Sequence, residues 1–164
     1  MKKAIFIVGV VATLLACNLK QEKESVSVGQ TIEETKKPTL DERAKQLKEE
    51  GYQIFTYQEG DSTYLMQQYY MVFLKSGENR SQDSIEAAKL QSQHLAHLER
   101  MALEGYASLI GPFDSDGDVR GIVVYNTKTL KEADSLANMD PMVKAGRLKV
   151  EVHPWWTEKG GKLN

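Results

Sequence analysis

The stretch Tyr69-Tyr70-Met71-Val72-Phe73-Leu74 constrains this chain more than any other. Successive side chains of a strand point to opposite faces, so an unbroken apolar run makes both faces apolar. Such a strand needs a covering layer on each side. The spacing around it predicts a core strand over Thr63–Lys75, then a long helix from Asp83 to Glu104 closed by Gly105. A strand over Tyr106–Ile110 ends at Gly111-Pro112, and Asp116-Gly117 turns the chain into a partner strand, Gly121–Asn126. Thr129 and Glu132 make a capping box for a helix reaching Asn138. Asp140-Pro141 opens a further turn that Gly146 stops, and Leu148, Val150 and Val152 alternate with Lys149, Glu151 and His153 as a half-buried strand.

Strand, helix, strand, strand, helix, strand is an α+β order. It predicts a ferredoxin-like antiparallel sheet with both helices on one face. The other face then needs a cover. A second copy would supply it, giving a dimeric α+β barrel and a homodimer. The alternative cover is an N-terminal extension over 40–62, where Thr39 and Glu42 form a capping box, Gly51 stops a helix at Glu50, and Tyr52–Tyr57 reads as an extra strand before the Glu59-Gly60-Asp61 turn. The α+β domain itself is placed at 63–157, with a flexible tail over 158–164.

The start of the chain points to export. Lys2 and Lys3 precede an apolar run from Ala4 to Ala16, shorter than the roughly 20 residues a membrane-spanning helix needs. Leu14-Leu15-Ala16-Cys17 resembles a bacterial lipobox, with 1–16 as the signal peptide and Cys17 as the lipid-attachment residue, although position 15 is commonly smaller than leucine. Residues 17–39 then read as a lipidated cysteine and a disordered tether: Asn18–Thr39 has no aromatic residue and is rich in Lys, Glu, Ser, Thr and Gln. Coil-like, it would reach roughly 26 Å. The expected location is the bacterial cell envelope, facing the periplasm or the outside. Cys17 is the one cysteine, so no intramolecular disulfide is possible. Removing Lys2 and Lys3 from the 21 basic residues against 23 acidic ones moves the net charge from −2 to −4. That balance argues against a nucleic-acid partner, and membrane association would come through the lipid anchor.

His94 is the residue most suggestive of chemistry. On a helical wheel Leu90, Met101, Ala87 and Leu98 lie within about 40° of it, with Ala102 and Leu95 on one flank at about 80° and 100°. His97, about 60° to the other side, falls at the edge of that stripe. A histidine inside an apolar stripe is a satisfied core residue, a pocket acid or base, or a metal ligand. His94 and His97 have no evident third ligand, so no metal site is expected, and no cofactor either. Asp114-Ser115-Asp116-Gly117-Asp118 misplaces the glycine of a calcium loop and has Tyr125 where its last ligand would stand, so it reads as a polar turn.

Three stretches together carry a family resemblance: His94–Phe113 (HLAHLERMALEGYASLIGPF), Arg120–Tyr125 (RGIVVY) and Met139–Trp155 (MDPMVKAGRLKVEVHPW). They resemble the YCII-related, or YciI-like, family over about Tyr69–Trp156. The resemblance implies a ferredoxin-like fold in a dimeric α+β barrel, and a His–Asp pair proposed as catalytic, here His94 and Asp140. It also implies lyase-, isomerase- or dehalogenase-like acid–base chemistry on a small organic molecule, since a chloromuconolactone dehalogenase is a related member. Some members carry an arginine three residues before the histidine; here that position is Gln91, which weakens any case for an anion clamped there. Asp140 precedes a proline and is also a natural helix N-cap. Two readings without catalysis stand beside the enzyme: a small-molecule-binding or structural envelope lipoprotein, and an interaction subunit using Trp155-Trp156 as an aromatic patch.

Overall fold

The computed structural model describes residues 37–163. Their elements run α1 (Leu40–Glu49), β1 (Ile54–Glu59), β2 (Ser62–Ser76), α2 (Ser84–Leu103), β3 (Ala107–Pro112), β4 (Val119–Tyr125), α3 (Leu130–Asn138), α4 (Pro141–Lys144) and β5 (Leu148–Glu158). The expected signal peptide over 1–16, Cys17 and nearly all of the expected tether lie outside the described residues.

Local chemistry sets the helix ends. Thr39 and Glu42 exchange the two bonds of a capping box. Asp83 caps α2 by accepting from the amides of Ile85 and Glu86. Gly51 and Gly105 follow α1 and α2 with φ of 93° and 78°, a left-handed exit that side chains resist. The second capping box forms only in part. Thr129 accepts from the Glu132 amide, but the Glu132 carboxylate takes the amide of Lys128.

All strand pairs are antiparallel, and the core strands lie in the order β5-β2-β4-β3. That is the ferredoxin-like arrangement. β1 pairs with the first half of β2, Ile54 to Glu59 against Gln67 to Ser62, and β4 with the second half, while β5 spans nearly the whole opposite edge. Gly111 and Pro112 lie inside β3 as its last two residues, paired with Ile122 and Gly121, where the sequence suggests a strand ending at Ile110. β3 is the outer strand, so the missing proline amide interrupts no ladder on its free side. β5 also runs further than its alternation predicts, to Glu158, and the Lys159 amide donates to the Leu65 carbonyl.

The doubly apolar strand divides its two faces between two cores. In the second half of β2, Tyr70, Val72 and Leu74 are buried with Leu98 and Met101 of α2, Ala133 and Ala137 of α3, Val123, Tyr125, Met142 and Leu148. In the first half the buried residues are Leu65, Gln67 and Tyr69, which alternate to the opposite face. α1 lies on that face: its Ala44 and Lys48 border a cleft with Ile54 and Thr56, which pair with Gln67 and Leu65, and its Leu47 is buried. The extension therefore covers one end of the face opposite the helices. Met71, Phe73 and Ile122, further along it, stay half-buried.

Candidate active site

The long helix α2 turns a different stripe inward from the one its periodicity suggests. His94, His97, Leu98 and Met101 are its buried residues. Leu95, included in the apolar flank by composition, is 56% exposed. The stripe is thus rotated away from Leu95 and toward His97, which is 5% exposed and not marginal. A stripe of 94, 97, 98 and 101 is the i, i+3, i+4, i+7 pattern of one helix face. Leu95 and Ala102 broadened the apparent apolar arc and shifted its centre.

His94 and Asp140 come together. Nδ1 of His94 lies 2.5 Å from Oδ2 of Asp140, across 46 residues of chain. The two are 8% and 1% exposed. Asp140 also caps the single turn α4, its Oδ1 accepting from the Met142 amide at 2.8 Å. Cap and imidazole partner are therefore one side chain, with a different oxygen for each task. An ionised carboxylate only accepts, so the Nδ1 proton of His94 is the shared one, and the neutral ring carries its lone pair on Nε2.

His97, one helical turn on, holds the opposite tautomer. Arg100 Nη2 stands 3.2 Å from its Nδ1, and a guanidinium only donates. Nδ1 must then accept, which puts the His97 proton on Nε2. That atom is buried without a hydrogen-bond partner among the described residues. Burial above all holds the His97 pKa below the usual histidine range; Asp140 and, least, the nearby Leu136 backbone oppose this, while Arg100 and His94 add to it. Tyr125 of β4, 1% exposed, closes the cluster. Its phenol is pushed up to about 12, first by burial and then by the Asp140 charge, so it stays protonated at neutral pH.

The depressed His97 value has a consequence for stability. The unfolded ring titrates near 6.5, the folded ring lower. Between the two, the unfolded chain binds more protons, so this contribution is complete above about pH 6.5 and is lost as pH falls through the folded value. His97→Gln should flatten the decline of the urea midpoint between about pH 7 and 5. An unchanged slope would contradict this assignment.

The remaining candidates are placed apart from the cluster. His153 bonds Glu151 on the surface, 2.7 Å away. Among the described residues, no three His, Cys, Asp or Glu side chains are grouped to hold a metal, and no helix is long and apolar enough to cross a membrane. Trp155 and Trp156 point to opposite faces of β5. Trp156 packs against Phe55, ring centroids 5.0 Å apart, and Trp155 lines a cavity under Tyr69.

A family description, the YCII-related domain, matches residues 68–156, more than half of the chain. The chain belongs to the YCII-related family. Its YCII-related domain thus runs from the middle of β2 into β5, taking in His94 and Asp140 and leaving α1 and β1 outside. No curated protein matches the chain. Among solved structures it is similar to 5-chloro-2-hydroxyhydroquinone dehydrochlorinase from Burkholderia phenoliruptrix AC1100, in complex with 2,5-dihydroxybenzoquinone. That likeness has 21% identity and a TM-score of 0.40, and covers 52% of this chain and 92% of that one.

Proposed function

We propose that this YCII-related protein performs acid–base chemistry on a small organic molecule, with His94 as the proton-transferring group and Asp140 as the residue that orients it. The observation that carries the reading is the 2.5 Å contact between two buried side chains, His94 Nδ1 and Asp140 Oδ2. The Met142 amide holds the other carboxylate oxygen, which fixes the plane in which Asp140 meets the ring. Nε2 of His94 takes a proton from the substrate, the Asp140 carboxylate stabilises the imidazolium that forms, and the same nitrogen returns the proton. Tyr125, protonated and close enough for Asp140 to raise its pKa, is a neutral neighbour that adds no competing charge.

The test is a fragment set of small hydroxylated, ketonic and halogenated rings. Binding is read at the His94 ring resonances, and turnover as solvent-deuterium uptake or halide release. A fragment that shifts those resonances should react, with His94→Asn abolishing the reaction and Asp140→Asn slowing it by about 10²–10⁴-fold. Equal turnover in His94→Asn, or no fragment that moves the His94 signals, sinks the proposal. One observation favours a second reading, a structural pair without chemistry. Among the described residues, four surface cavities of about 300 to 740 Å³ are lined by neither His94 nor Asp140. In that case His94→Asn loses stability and no fragment binds near α2.

The lipobox-like sequence supports a proposed envelope location through a lipid on Cys17, for which palmitate labelling lost in Cys17→Ser is the measure. The half-buried strip Met71, Phe73 and Ile122 supports a homodimer on that face. Its measure is a sedimentation mass of two chains that falls to one in Phe73→Glu.

A further inference from the structure

The face of the sheet opposite the helices holds a cavity of about 740 Å³, within the range of small-molecule sites. Tyr69 and Val124, both buried, are part of its wall. Their chain neighbours Tyr70, Val123 and Tyr125 face the helices, so the sheet separates this cavity from His94 and Asp140. Trp155 lines it from β5, Arg43 from α1, and Lys159 and Lys162 from the turn after β5. Glu158 is the one acid in the lining. Among the described residues, none of the three cations is in a salt bridge.

We infer that this cavity binds a small aromatic carboxylate, with Arg43 and Lys159 meeting the carboxylate and Trp155 and Tyr69 flanking the ring. The charge placement supports the anionic end. Lys159 Nζ sits 5.5 Å from the centroid of the Tyr69 ring. Burial first, and then the Arg43 charge, hold its ammonium below the usual lysine range, with the Glu50 carboxylate opposing them. Two cations that repel across a partly dry wall gain from an anion between them, and a guanidinium is suited to a carboxylate in a two-pronged contact. The aromatic end follows from the wall itself. An indole and a phenol beside a buried valine offer flat apolar surface, which a bare inorganic anion would leave unused.

The full chain is titrated with benzoate, with its neutral isostere benzamide, and with inorganic phosphate, by calorimetry and tryptophan fluorescence. Benzoate should bind saturably and change the fluorescence, and the change should vanish in Trp155→Phe and persist in Trp156→Phe. Benzamide and phosphate should each bind at least about tenfold more weakly. Arg43→Gln, a change at an exposed helix position, should weaken benzoate by about tenfold and leave benzamide alone. Benzoate should leave the His94 ring resonances in place, which separates this site from the proposed acid–base pair. Benzamide binding as tightly as benzoate, phosphate competing on equal terms, an Arg43→Gln protein with parental affinity, or no benzoate binding at all would each overturn the inference.

Discussion

Asp140→Ala is expected to lower the unfolding free energy by about 1.5–5 kcal/mol, about 1–3 kcal/mol for an unpaired buried polar nitrogen and about 0.5–2 kcal/mol for a lost helix N-cap. The loss has two sources. The His94 ring is left with an unpaired Nδ1 in the core, and the Met142 amide loses its cap at the start of α4. Asp140→Asn separates them. Its amide oxygen can still accept from Met142, while its NH₂ can meet His94 only if the ring moves its proton to Nε2. The asparagine variant should therefore keep more stability than the alanine variant and show the switched tautomer in the nitrogen shifts of the His94 ring. Urea unfolding at pH 7.5 measures the first part. An alanine variant within 1 kcal/mol of the parent would show that the pair contributes little to the fold.

Met101→Ala should cost about 2–5 kcal/mol. Met101 is fully buried in the cluster that joins α2 to β2, β4 and α3. Its truncation leaves a void that the surrounding Val72, Val123 and Ala133 can close only partly. Leu103, two residues on, is 82% exposed. Leu103→Ala is the control and should fall within about 0.5 kcal/mol of the parent. Similar losses at both positions would mean that the inward face of α2 is misassigned.

These two variants mark what the sequence made readable. The order of elements followed from turn chemistry and period, because Thr39, Asp83, Gly51 and Gly105 act on their own immediate neighbours. The rotation of α2 was read less well. Leu95 and Ala102 counted as apolar although both stay exposed, and that pushed His97 to the margin. Asp140 as an N-cap was visible in the Asp-Pro pair, but its bond to His94 spans 46 residues, and no local pattern carries such a contact. The family resemblance supplied that partner. Tyr125 was missed as a member of the cluster because a tyrosine in an apolar strand carries no sign of the charge it will meet.

The split burial of β2 also bears on how the molecule comes apart. The half that pairs with β1 shelters under α1, and the half that pairs with β4 under α2 and α3, so the two sets of side chains share a backbone but little packing. Opening of α1 and β1 need not disturb the apolar cluster around Val72. Such a chain has two cooperative units on one strand, and amide exchange would proceed in two tiers, faster over Leu65–Gln67 than over Val72–Leu74. Opening of the N-terminal extension would then leave the His94–Asp140 pair closed.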